Sequence, residues 1–358
     1  WSLKSGNAGQ IKNALTLAKQ EYWNGEPVAM SGKEFDANPK LLGCKNGVLE
    51  LDDDPDIRDP RKEDYVTYNT NVDYVPWRTL MMAEGAHFEG FDLWNEYLHM
   101  FLPNPELRHF VQKVMGHLLI GGNPEKLIVF LWGEHDTGKS TMIGAIAGAL
   151  GDYFGTIDLK LFRQVDLNPG LIRAVPLRVT AMSEVDAGVM DAATIKRLTG
   201  NDRVTAEAKY SNEIFEGIPQ FTTLIACNNA PNIKHADEAL DERLLVLPFR
   251  KSVSRGERKY ERQKQIEEHS GIAVLSWLVE GWRLYCAEGL KRDTWPDIIR
   301  QFNGEFGKAL NVTRDFISEC LEKARDCEEG IRAENEARRK AKGEVKVAHW
   351  DKNWTPVA

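Results

Sequence analysis

The chain has 358 residues, a formal net charge of −8 and 42% hydrophobic residues. That balance is typical of a soluble globular protein of two or three domains, and it excludes a broadly basic nucleic-acid coat protein. The longest apolar run, residues 127–132, falls far short of the roughly 20 residues a membrane span needs, so no membrane partner is expected. Five cysteines (Cys44, Cys227, Cys286, Cys320 and Cys327) form no CxxC pair, and their odd number argues against a disulfide framework or a zinc site. With no visible signal peptide, a cytoplasmic location is expected. The chain starts at Trp1 rather than Met, which suggests a piece of a longer protein.

Residues 1–87 read as an N-terminal α+β domain. Within residues 42–51 the Asn46-Gly47 step favours a hairpin turn, and the acidic stretch 52–59, carrying Pro55, reads as a loop. Residues 88–125 read as a helical collar. Phe91, Trp94, Tyr97, Leu98 and Phe101 recur at helical spacing, as do Phe110, Val114 and Leu118, with Asn104-Pro105 between the two runs. Residues 126–250 alternate apolar strands (127–132, 179–182, 222–227, 244–249) with helices, the first of them over 141–150 and ending at Gly151; this order predicts an open, mostly parallel sheet. Residues 251–358 read as a C-terminal helical region. Trp277, Leu278, Trp282 and Leu284 fall on helical spacing, and a charged helix over 314–342 ends in Arg338-Arg339-Lys340-Ala341-Lys342, a pattern usual for a solvated helix end.

Gly133-Glu134-His135-Asp136-Thr137-Gly138-Lys139-Ser140 fits GxxxxGK[ST] at every fixed position, after an apolar strand and before a helix that opens with Thr141. Glycines let the backbone wrap a phosphate with its N–H groups turned inward, and the helix N-terminus adds partial positive charge. Lys139 is the expected β/γ-phosphate ligand and Ser140 the expected Mg²⁺ ligand. These residues predict a nucleoside-triphosphate site but do not by themselves separate a kinase, a GTPase, a transporter and a motor.

Four later features narrow the class. The strand over 179–182 leads into Ser183-Glu184, and an acid there can polarise an attacking water and touch the metal. Ile195-Lys196-Arg197-Leu198-Thr199-Gly200-Asn201-Asp202 precedes an alternating run, residues 204–210, that reads as a β-hairpin with Lys209 near its tip and a return strand over 213–216. Asn228 ends an apolar strand, where its amide can orient the lytic water. Arg243 follows Asp237-Glu238-Ala239-Leu240-Asp241-Glu242 and enters a further strand, where it can serve as an arginine finger for a neighbouring subunit. The plainer alternatives are a surface carboxylate, an ordinary hairpin, a loop amide, and an ion pair of Arg243 with Asp241 or Glu242.

Taken together, in this order, the motifs resemble superfamily 3 helicases of the branch found in poxvirus-type, satellite-phage and plasmid primase-helicases. Gly138-Lys139-Ser140-Thr141, Ser183-Glu184, Lys196 to Asp202, Asn228 to Pro231, Asp237 to Leu244 and Pro248-Phe249 carry the likeness. It extends to residues 46–51, similar to the domain preceding the helicase, and to residues 271–290, similar to the helical segment after it. Glu134-His135-Asp136-Thr137 replaces the family's usual Gly and Asn, Asn201 a usual Gly, and Glu242 a usual Arg. The resemblance implies an AAA+-like P-loop ATPase core that assembles as a hexameric homo-oligomer. It also implies Lys139, Glu184, Asn228 and Arg243 as the catalytic set, residues 133–141 as the ATP loop, and Ser140 with Glu184 at Mg²⁺. Lys209, Tyr210 and Lys196 would contact single-stranded or forked DNA, and a primase-polymerase would precede the helicase. Residues 126–250 carry 13 Lys+Arg against 16 Asp+Glu, so DNA contact would fall to a few local cations. The competing expectations are a DNA-binding P-loop ATPase without processive unwinding (a loader, origin-melting factor or packaging motor), a small-molecule kinase, and a non-enzymatic assembly module.

Overall fold

The computed structural model describes residues 22–23, 26–27, 35–82, 89–163, 169–183, 189–207, 214–234, 236–252, 260–310 and 331–332. Glu184, Lys209, Tyr210 and all but two residues of the helix expected over 314–342 lie outside the described residues. Residues 1–306 form one compact unit and residues 307–358 a second.

Near the start of the described chain, β1 (Leu41–Cys44), β2 (Gly47–Glu50) and β3 (Asp56–Arg58) form an antiparallel meander. The hairpin turn falls on Lys45-Asn46, one residue before the Asn-Gly step, because Cys44 pairs with Gly47. The Asn46 side chain is what holds it there. Its Oδ1 accepts from Tyr74 N at 2.9 Å and its Nδ2 donates to Tyr74 O at 2.8 Å, so the amide copies a strand's hydrogen-bonding edge.

Three helices follow: α1 (Trp77–Met82), α2 (Glu89–Phe101) and α3 (Pro105–His117). The break between the last two has a local cause. Asn104 caps α3 by accepting from Glu106 N and Leu107 N, and Pro105 takes the first helical position, where its missing N–H costs nothing.

The central layer is a five-stranded parallel sheet. Its strands are β4 (Ile128–Trp132), β5 (Phe154–Thr156), β6 (Val179–Ser183), β10 (Thr222–Cys227) and β12 (Leu244–Pro248), in the spatial order β12-β4-β10-β6-β5. Helix α4 (Lys139–Leu150) follows β4, and α5 (Pro169–Ala174) lies between β5 and β6. A small parallel pair, β7 (Val189–Asp191) with β11 (Asn232–Lys234), and the antiparallel hairpin β8 (Val204–Glu207) with β9 (Ile214–Gly217) complete the insertions, with α6 (Ala192–Thr199) between β7 and β8. The hairpin pairs Glu207 with Ile214, and Val204 and Ala206 face inward as the alternation required. The four-residue helix α7 (Glu238–Asp241) leads into β12.

After β12 come α8 (Tyr260–His269), α9 (Gly271–Glu288) and α10 (residues 297–310). Helices α3 and α9 cross at a point where neither chain has room for a side chain. A Cβ on Gly116 would stand 2.0 Å from the Gly281 carbonyl carbon, and one on Gly281 would stand 2.1 Å from Gln112 O. Trp94 and Trp277 pack edge to face in the same core. Trp277, Leu278, Trp282 and Leu284 thus lie on α9, on the helical spacing read from the sequence. The later part of the C-terminal helical region does something the sequence did not reveal. Asn303 of α10 accepts from Val246 N at 3.0 Å and donates to Val246 O at 3.1 Å, satisfying the outer edge of β12, while Phe302 and Phe306 stack beside Trp132 and Phe130. An unpaired strand edge invites pairing with another chain, and this amide closes it. No helix among the described residues is long and apolar enough to cross a membrane.

Candidate nucleotide site

The glycine-containing loop 133–138 leaves the carboxyl edge of β4 between its two sheet neighbours. Gly133 N donates to Cys227 O at 3.3 Å, and Phe249 N donates to Trp132 O at 2.8 Å. Gly133 is required here, since a Cβ would stand 1.8 Å from Phe249 O. Two residues then adopt left-handed backbone: Asp136 (φ 60) and Gly138 (φ 87). Asp tolerates that region better than most non-glycine residues because its short side chain can hydrogen-bond locally. This is how the loop forms without the Gly and Asn of the resembled family. Helix α4 starts at Lys139, two residues earlier than spacing suggested, because Gly138 makes the turn into it.

Lys139 is 7% exposed and its ammonium is fully engaged by the loop. Nζ donates to Gly133 O at 2.7 Å, Glu134 O at 2.6 Å, Thr137 Oγ1 at 3.2 Å and Asn228 Oδ1 at 3.0 Å. Thr137 is buried and its hydroxyl donates to Glu134 O. Asn228, directly after β10, therefore reaches the loop lysine, and its Nδ2 stands 3.4 Å from the ring nitrogens of His135. Its carbonyl accepts from Trp132 Nε1 at 3.0 Å, which fixes the Asn228 backbone against β4. Glu134, His135, Asp136 and Ser140 are solvent-exposed, while Thr141 is buried in the helix's inner face. Strand β6, which carries Ser183 at its end, lies next to β10 in the sheet, with Ser183 level with Ala226.

Two contacts on the loop were not anticipated. Tyr97 Oη of α2 donates to Gly138 O at 2.8 Å, and a Cβ on Gly138 would meet the Phe101 ring at 2.8 Å. Burial pushes the Tyr97 phenol well above its usual range, so it remains a donor. Both aromatics lie on the helical stripe that reads as plain core; only their i, i+4 spacing on a helix preceding the loop could have signalled them.

Arg243 lies at the other edge of the sheet. Leu244 is level with Ile128 and Pro248 with Trp132, so Arg243 is separated from the loop by a strand length of about 13 Å. Its Nη1 donates to Ala239 O at 2.6 Å, and Ile128 N donates to its carbonyl at 2.9 Å. Lys196, in the last turn of α6, pairs with Asp237 at 2.7 Å. That hydrogen bond, with another from Leu240 N, holds the Asp237 carboxyl below the usual carboxylate range. Asn201, where the resembled family has Gly, adopts φ 62 just after α6, a conformation glycine favours and Asn tolerates.

A five-stranded parallel sheet in this order, with a glycine-rich loop feeding a helix at its carboxyl edge, is the α/β core of a P-loop protein of AAA+-like type. Residues 1–116 match the family described as "D5 N terminal like". The chain is 27% identical over 328 residues to "Putative helicase L207/L206" of Acanthamoeba polyphaga mimivirus, covering 84% of this chain and 32% of that protein. It is 26% identical to "Putative helicase 022R" of Frog virus 3, covering 63% of this chain and 25% of that one. Among solved structures, the apo form of the NrS-1 C-terminal region is similar with a TM-score of 0.46 and 13% identity, over 77% of this chain and 62% of that chain. The chain is thus similar to viral proteins named as helicases and carries a D5 N-terminal-like segment, and it spans about a third of the length of its mimivirus relative.

Proposed function

We propose that this chain is the ATPase core of a DNA helicase of the superfamily 3 type, hydrolysing ATP at the interfaces of a hexameric ring that moves on single-stranded or forked DNA. The observation that carries this reading is the division of the site across the sheet. Lys139 and Asn228 meet at the carboxyl edge, whereas Arg243 lies at the opposite edge, too far to serve its own loop. In this reading the site is completed by a neighbour's arginine, which is the logic of a ring motor. The kinship with viral proteins named as helicases supports the same reading.

In this reading the loop 133–141 binds the phosphates, Lys139 leaves its loop carbonyls to bridge the β- and γ-groups, and Asn228 orients the attacking water opposite Glu184. Ser140, exposed on the first turn of α4, is a hard oxygen donor suited to Mg²⁺. With Glu184 it would hold the ion, whose contribution is to neutralise phosphate charge. Lys209 and Tyr210, in the segment joining β8 to β9, supply the DNA contact. Lys196, tied to Asp237, contributes less than a free cation would.

A strand-displacement assay on a forked duplex tests the proposal. ATP-dependent release of the displaced strand is the expected result. DNA-stimulated hydrolysis with no displacement would instead make the protein a loader, origin-melting factor or packaging motor.

A further inference from the structure

The corner that carries Arg243 is held from both ends by cations. Helix α7 has four residues, far too few to be stable alone. At its start, Asp237 caps the helix by accepting from Leu240 N, and Lys196 fixes that carboxylate. At its end, Arg292 Nη2 donates to Asp241 O and, at 3.1 Å, to Leu244 O. Those carbonyls lie on either side of Glu242-Arg243. A side-chain cation on the last carbonyls of a helix is a known way to satisfy them. Bridging across the two residues that follow is more specific, because it sets the path of the chain through Arg243.

Arg292 is itself well anchored. It begins a 3₁₀ turn, Arg292–Thr294, between α9 and α10. Its guanidinium lies 4.8 Å from the centre of the Trp295 ring, and Trp295 is buried, with Nε1 donating to Leu290 O at 2.9 Å and its ring set against Phe110 of α3. A planar guanidinium can stack on a ring and fork onto two acceptors at once, which an ammonium does poorly.

We propose that Arg292 is the positioning residue for Arg243: by bridging the carbonyls of Asp241 and Leu244 from a platform on Trp295, it fixes the turn that presents Arg243 to the neighbouring subunit. The inference rests on the proposed role of Arg243 in trans. It also means that the helical segment after the core takes part in the active site without touching nucleotide.

The test uses Arg292→Met, which keeps a side chain to pack on Trp295 but has no donor, alongside Arg243→Ala and Lys139→Ala. Misplacing a reacting group by about 1 Å costs on the order of 10²-fold in rate, so Arg292→Met is expected to lose roughly that much kcat with ATP affinity unchanged. Complementation then separates positioning from general damage. Mixed with Lys139→Ala subunits, whose fingers are intact, Arg292→Met should regain turnover. Mixed with Arg243→Ala subunits it should regain none. If Arg243→Ala is inactive but Arg292→Met turns over normally, Arg292 is not a positioning residue. The same conclusion follows if Arg292→Met loses ATP binding or fails to complement Lys139→Ala, since its role is then structural. If Arg243→Ala is itself fully active, the finger reading fails first.

Discussion

Lys139→Ala is expected to abolish ATP hydrolysis. The ammonium is the one Lys or Arg side chain in the loop 133–141, the permanently charged group expected to bridge two phosphate groups. In the described conformation it satisfies the carbonyls of Gly133 and Glu134, the Thr137 hydroxyl and the Asn228 amide oxygen. Removing it also strips partly buried acceptors, and the buried Thr137 hydroxyl, of their partner, a loss worth about 1–3 kcal/mol where water does not replace it. The variant should therefore be somewhat less stable as well as inactive. Lys139→Met, which fills more of the side chain's space, should recover stability but no activity. Phosphate release read beside thermal melting separates the two effects. Turnover near the wild-type rate in either variant refutes the phosphate-loop assignment.

Arg243→Ala is expected to bind ATP normally and to lose about 10³–10⁵ in turnover, the usual worth of an arginine finger. The register of β12 against β4 puts Arg243 at the wrong edge of the sheet for its own loop, so on the proposed reading the loss falls on the neighbour's site. Mixing is the sharper readout. In rings made from Lys139→Ala and Arg243→Ala subunits, some interfaces join an intact loop to an intact finger, and those should hydrolyse ATP although neither variant does so alone. Mixed rings that assemble and recover nothing would instead confine Arg243 to contacts within its own subunit, such as the one it makes with Ala239 O.

Much of this was legible because the chemistry is local. GxxxxGK[ST] between an apolar strand and a helix fixes a strand-loop-helix unit, and β10, ending just before the polar Asn228, appears over the residues its apolar run indicated. Asn104-Pro105 separates two helices because one residue caps and the other initiates. The departures arise where a partner is distant in sequence. Asn46 moved the first hairpin turn because Tyr74, 28 residues on, uses its amide. Strand β5 is three residues long at a sheet edge, too short for a period-two signal. The closure of β12 by Asn303, 57 residues away, and the clamp of Arg292 on the Arg243 corner depend on tertiary approach alone. Tyr97 and Phe101 carried a signal that pointed elsewhere: an aromatic stripe on a helix reads as core, and here the buried Tyr97 and the partly buried Phe101 pack under the loop 133–138.

The most direct test of the whole account is the rate of ATP hydrolysis by the purified protein, with and without single-stranded DNA, on a species of measured mass. A multi-subunit assembly is expected, with turnover that rises when DNA is added and vanishes in Lys139→Ala. A monomer that hydrolyses ATP at a rate indifferent to DNA, or an assembly that binds ATP and never turns it over, would contradict that expectation.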